Sequence, residues 1–220
     1  MNRRARGFAV PAFLLMGVIL TPVLAIEDDY LESAGGLMQP KEGDEKPSMS
    51  ELGILANATE LVQQKLYPEA EKYLLKSLEQ FPDSKHMRYL LASVYSSSEK
   101  YPEAIKLLEQ LLAQHPGDYR LMNNLSWVLS TASAVQYRNP AKALALAQDA
   151  VLIVPDDYHI WSTLAEAHFV NANFDQAVKT LQHGINLAIE QQADAGTLRT
   201  YKKQYRKLQE AASVMSLIEQ

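Results

Sequence analysis

The sequence predicts an all-α protein in which helical hairpins stack into a solenoid, and three observations carry that prediction. The tetrapeptide Tyr-Pro-Glu-Ala stands at Tyr67 to Ala70 and again at Tyr101 to Ala104, 34 residues on. Pro82 and Pro116 follow at the same spacing. From Glu51 almost to the end of the chain, apolar residues recur at helical intervals, with no alternating run of the kind a strand needs. A unit of this size has no interior of its own, so such units are stable only when each buries its apolar face against the next.

The first residues belong to another category. Arg3, Arg4 and Arg6 precede a short apolar run from Phe8 to Leu20, and Pro22 is followed by small or aliphatic residues at Val23 and Ala25. That order is what a signal peptidase accepts, so residues 1–25 are expected to be a signal peptide cleaved after Ala25 on ordinary Sec export. An uncleaved anchor is the alternative, because Phe8 to Ala25 is nearly long enough to cross a bilayer. Residues 26–49 are acidic and punctuated by Gly35, Gly36, Pro40, Gly43 and Pro47. They hold too few apolar side chains to offset the entropy of ordering and are expected to be a flexible arm.

Charge and cysteine usage narrow the partners. The chain carries 21 Lys and Arg against 26 Asp and Glu, a net charge of −5, and loss of the leader would remove three further cations. This balance argues against nucleic acid as a partner. There is no cysteine, which excludes disulfides, thiolate metal sites, a thiol nucleophile and a lipidated cysteine. An exported chain of this kind fits a bacterial envelope, periplasmic or extracellular, better than a eukaryotic secretome.

Ser48 and Glu51 form a capping box, so a helix is expected to open there. Residues 50–189 then divide into four units, 51–84, 85–118, 119–157 and 158–189. Small residues recur in the first helix of each unit at Ala58, Ala92, Ser126 and Ala165, and in the second at Ala70, Ala104, Ala143 and Ala177. They let paired helices approach closely. Pro82, Pro116 and Pro155 end second helices, and the dipeptides that follow, Asp83-Ser84, Gly117-Asp118 and Asp156-Asp157, supply caps for the next helix. Pro68 and Pro102 sit in a first turn, where a helix tolerates proline. The third unit needs five extra residues around Ser133 to Arg138, and the fourth has Ile189 where proline would stand.

These features resemble the tetratricopeptide repeat family, most clearly in Trp161 to Ala177, "WSTLAEAHFVNANFDQA", and in Asn123 to Ser130, "NNLSWVLS". The resemblance implies a right-handed α-solenoid. Asn57 and Arg88 depart from it, standing where the family prefers apolar residues, as does His168 where it prefers Tyr. Residues 190–220 are expected to be a capping helix and tail. Leu198, Tyr201, Tyr205, Leu208, Ala212 and Met215 would lie on its covering face, with Arg199, Lys202, Lys203, Arg206 and Lys207 on the other.

By the same resemblance, the concave wall is built from the first helix of each pair. Its partner-binding groove is expected to use His86, Tyr89 and Ser93 from the second unit and Arg120, Asn123, Asn124 and Trp127 from the third. His159, Thr163 and Glu166 complete it from the fourth. Amide side chains beside aromatic footing suit an extended peptide. Some family members grip a C-terminal carboxylate with Lys, Asn, Asn, Lys and Arg at fixed wall positions; at best two of those positions match here, so such a clamp is not implied.

The expected function is therefore a non-enzymatic scaffold or adaptor in the cell envelope that holds a protein or peptide partner. A membrane-associated assembly factor, held by an uncleaved N-terminal anchor or by the basic last helix, is the alternative. No cofactor or metal is expected, since the zinc-protease, phosphate-loop and serine-elbow motifs are all missing. A hydrolytic site would have to gather His86, His159 and Glu166. The inserted loop, residues 132–140, is a further place to look for a special contact.

Overall fold

A computed structural model describes residues 46–218. The expected signal peptide and all but the last four residues of the arm lie outside the described residues. Helix α1 (Met49–Gln63) opens on the capping box: Glu51 N–H donates to the Ser48 hydroxyl at 3.3 Å, and Ser48 N–H donates to the Glu51 carboxylate at 2.9 Å. Four hairpins follow from there. Helix α1 pairs with α2 (Tyr67–Leu78), α3 (Lys85–Ser97) with α4 (Tyr101–Gln114), α5 (Tyr119–Thr131) with α6 (Pro140–Ile153), and α7 (Tyr158–Val170) with α8 (Phe174–Glu190). A final helix, α9, spans Ala195–Ile218, and there is no strand among the described residues. Each helix packs on the next in chain order, and α1, α3, α5 and α7 also touch in succession, as a solenoid requires.

The loops between hairpins are set by local chemistry. Ser84 accepts the Met87 N–H at 3.4 Å, Asp118 accepts the Arg120 N–H at 3.0 Å, and Asp157 accepts the His159 N–H at 2.9 Å. Each thereby satisfies a donor that the first turn of a helix leaves open. Within hairpins the chain reverses through a left-handed residue that is not glycine: Lys65, Glu99 and Ala172 have φ of 60°, 59° and 59°. The following N–H of Leu66, Lys100 and Asn173 reaches back to the carbonyl of Leu61, Tyr95 and His168, closing the end of the first helix. A side chain in this conformation costs roughly 1–2 kcal/mol, so the packing of the two helices has to impose it.

The third hairpin turns differently, and the insertion is the reason. After Ala132 the chain makes a single 3₁₀ turn at Val135–Tyr137 and re-enters α6 through Asn139, whose N–H donates to the Leu129 carbonyl at 3.0 Å. Tyr101 anchors this loop. Its hydroxyl meets Ser133 at 3.2 Å and its ring lies 6.0 Å from that of Tyr137. The extra residues thus form a braced bulge.

Small residues line the seams between paired helices. Ala58, Ala92, Ser126 and Ala165 on first helices, and Ala70, Ala104, Ala143 and Ala177 on second helices, have no exposed surface. At the third seam the Ser126 hydroxyl donates to the Ala143 carbonyl at 2.7 Å, so the one polar member is satisfied. The departures from the family pattern are accommodated at the surface or the edge of the core: Asn57 Nδ2 donates to the Tyr73 hydroxyl at 3.2 Å, Arg88 lies 3.7 Å from Asp83, and burial holds the half-buried His168 below the ordinary histidine value. In the fourth hairpin α8 runs on to Glu190 because no proline stops it, and Ile189 is left 55% exposed.

Gly184 marks the tightest approach in that hairpin. A Cβ at this position would lie 2.9 Å from the Trp161 Cβ, and Trp161 is itself fixed by a hydrogen bond from its indole N–H to the Pro155 carbonyl at 2.6 Å. Gly184→Ala is expected to force α7 and α8 apart and lower stability by about 1–3 kcal/mol. Chemical denaturation of the variant beside the parent measures it, and an unchanged midpoint would show that the seam is looser than described.

Candidate partner-binding groove

The first helices of hairpins two, three and four present one face to a shared concavity of about 380 Å³. Ser93, Ser96 and Ser97 reach it from α3, Asn123, Asn124 and Trp127 from α5, and His159, Ser162 and Thr163 from α7. Tyr201 of α9 closes its far end. Six of the expected groove residues are brought together here: Ser93, Asn123, Asn124, Trp127, His159 and Thr163.

Trp127 is 41% exposed, in place of the buried inter-repeat packing usual for an indole in a repeat. Beside it Asn123 is buried, with only 8% of its surface exposed, and its Oδ1 has no hydrogen-bond partner among the described residues. Leaving a buried acceptor unmatched costs about 1–3 kcal/mol, and with this oxygen shielded from solvent a partner N–H reaches it only if the side chain turns toward the groove. Ser93 and Thr163 turn their hydroxyl protons back to the Tyr89 and His159 carbonyls of their own helices, at 3.4 Å each. Their oxygen lone pairs remain as acceptors toward the groove. Among the described residues, no Lys or Arg lines the concavity.

The other four expected residues sit elsewhere, and each displacement has a physical reason. Tyr89 is only 4% exposed and packs in the core with Leu90 and Leu91, because its position on α3 faces the neighbouring hairpins. His86 lines a separate concavity of about 510 Å³ with Phe81, Glu51 and His115. Arg120 is 6% exposed, with its guanidinium 3.3 Å from Asp118. Glu166 is covered by α9: Lys207 Nζ lies 2.7 Å from its carboxylate and Gln204 Nε2 3.2 Å from it. His86, His159 and Glu166 are therefore not gathered into one cleft.

Helix α9 is the contributor that residue patterning missed. Besides covering the stack, it lies where a fifth first helix would. Tyr201 shares a hydrogen bond with His159 Nδ1 at 2.9 Å, and the Ser162 hydroxyl donates to Gln204 Oε1 at 2.9 Å. Burial pushes the Tyr201 phenol well above its ordinary value, so the group is a neutral hydroxyl at physiological pH. The signal available in the sequence was the Tyr201, Gln204, Leu208 spacing, which runs along one face as a wall helix would.

Asp118 holds α5, the central helix of the groove, in place. Burial by itself would raise its carboxyl, but the hydrogen bond from Lys85, at 2.6 Å, outweighs that together with the Arg120 charge, and the net position is below the ordinary carboxylate value. A group lowered on folding contributes stability above its unfolded value and loses it as pH falls through the folded one. Asp118→Asn keeps a capping oxygen and loses the charge, so it is expected to cost about 2 kcal/mol at neutral pH. In urea titrations the gap between variant and parent should close as pH falls below about 4.

Against this geometry, comparison with known proteins gives a consistent answer. The sequence profile described as tetratricopeptide repeat matches residues 61–126 and 134–200. The second match begins inside the inserted loop. Among solved structures, a thermophilic protein of Thermus thermophilus, described as containing these repeats, superposes with a TM-score of 0.55 at 18% identity. The match covers 74% of this chain and 92% of that one. MamA from Desulfovibrio magneticus RS-1, residues 41 to the end, gives 0.52 at 14% identity, over 78% of this chain and 96% of that one. Likeness at these identities shows the fold and nothing finer. No curated protein sequence matches the chain.

Proposed function

The chain belongs to the tetratricopeptide repeat family, and from that premise we propose that it is a non-enzymatic scaffold whose concave wall holds an extended peptide segment of a partner protein in the cell envelope. The observation that carries the reading is the pairing, on one wall, of an exposed Trp127 with the half-buried amide of Asn124. An indole gives apolar footing, and an amide oxygen takes a backbone N–H from an extended segment. Asn123 stands one residue before Asn124 on the same wall, its Oδ1 buried and unmatched. Export is supported by the order of cations, apolar run and small residues in the first 25 positions.

Capture from a host lysate tests the groove. Trp127→Ala combined with Asn124→Ala removes footing and rim without touching the seams between helices, so the thermal midpoint should stay close to that of the parent. Partner yield is expected to fall at least about tenfold, the loss of a single binding hot spot. Equal capture of the same proteins would remove the concave wall from the account. For the location, the protein recovered from its host is expected to begin at Ile26 by intact mass; a mass that retains the first 25 residues would replace export of a free protein with a tethered one.

A further inference from the structure

The outward face of α9 is built unlike the rest of this acidic chain. Arg199, Lys202, Lys203 and Arg206 are exposed and follow the i, i+3, i+4, i+7 spacing that aligns side chains along one helical face. That face is opposite to Tyr201 and Leu208, which are buried against the stack. None of the four cations forms an ion pair with a carboxylate among the described residues, whereas the adjacent Lys207 is held by Glu166 and lies 4.3 Å from the centre of the Phe169 ring.

The same face changes character further along. After Leu208 no side chain of α9 as far as Leu217 is fully covered, and α9 has 24 residues to the 17 of α8, so this stretch projects past the hairpin it caps. Beyond Glu210, Val214 and Leu217 continue the outward stripe at 55% and 73% exposure. At 1.5 Å per residue the face passes from cations, through the single carboxylate of Glu210, to apolar side chains within about 12 Å. Nothing in the described residues covers either part.

We propose that this stripe is a peripheral docking surface for a bilayer containing anionic phospholipid. Phosphate headgroups take the four cations, and the adjoining acyl boundary takes Val214 and Leu217. A headgroup layer and the hydrocarbon beneath it present negative charge and apolar volume side by side without demanding a register. An acidic helix of another protein would have to supply both at one fixed spacing. The contact is superficial, since no described helix is long and apolar enough to cross a membrane. It also leaves the groove accessible, because Tyr201 lines the concavity from the opposite side of α9. The proposal is independent of what the groove binds.

The absence of cysteine makes a direct test available. In the full chain, Leu217→Cys carries a polarity-sensitive fluorophore; Leu152→Cys, on α6 and 81% exposed, is the control. With vesicles of phosphatidylcholine and phosphatidylglycerol, the probe at 217 is expected to shift to the blue while the probe at 152 does not, and phosphatidylcholine alone should give no shift at 217. A cation near an anionic surface contributes a factor of about five. Replacing Arg199, Lys202, Lys203 and Arg206 together by Gln should therefore weaken the response by up to about 600-fold, and by about 30-fold if only two of the four reach the surface, with the circular dichroism unchanged. The proposal is overturned by three results: sedimentation with vesicles without a shift at 217, which would assign the contact to the N-terminal residues; a shift that the Gln variant retains; or no vesicle response together with binding of an acidic polypeptide to the stripe.

Discussion

The closeness of the two helices in each hairpin is the constraint from which the rest of the structure follows. Eight positions, four on first helices and four on second helices, are occupied by Ala or Ser with no exposed surface. Because nothing larger stands between the backbones, the flanking Leu74, Leu108 and Leu181 are fully covered, and each hairpin then offers a flat enough side for the next to pack on. The strained left-handed turns at Lys65, Glu99 and Ala172 are tolerated only in that setting, as the residues sit at the one place where a closely paired hairpin must reverse.

Where the pairing geometry is kept, the connection is free to change. The third hairpin replaces its tight turn by a loop that Tyr101 braces from the hairpin before, yet the Ser126–Ala143 seam is as closed as the others. The fourth lengthens its second helix for want of a proline, and that extension sets where α9 begins. The ion pairs that link the start of one second helix to the second helix before it, Lys100 with Glu71 and Lys142 with Glu109, are at most partly buried and contribute little beside the buried seams.

Helix α9 joins the mechanical and functional sides of the molecule. A solenoid must cover its open end, and covering it here places Tyr201 and Gln204 against the wall of hairpin four. The groove consequently ends at α9, and its open stretch is the surface of α3, α5 and the start of α7. Glu166, whose position in a repeat would place it on an open wall, becomes a partner of Lys207 instead. The same helix turns its row of cations outward. One element therefore sets the length of the concave wall and the charge of the end surface.

Much of the fold was legible in the residues: the capping box at Ser48, the prolines in first turns, the capping dipeptides that end in Ser84, Asp118 and Asp157, the small seam residues, and the position of the insertion. Each of these depends on chemistry within a few residues of chain, or on a repeat spacing that survives in the text. Six of ten expected groove residues also line one concavity, because the side of a helix they occupy is fixed by helical periodicity. Burial of Tyr89 and Arg120, the separate place of His86, and the covering of Glu166 depended instead on which neighbours arrive from other hairpins. The sequence by itself determined the helices, their pairing and their order, since these rest on local hydrogen bonds and periodic side-chain size. Only the tertiary structure decided which wall positions stay open, because contacts such as Tyr201 with His159 join residues 42 apart and arise when the stack curves and closes.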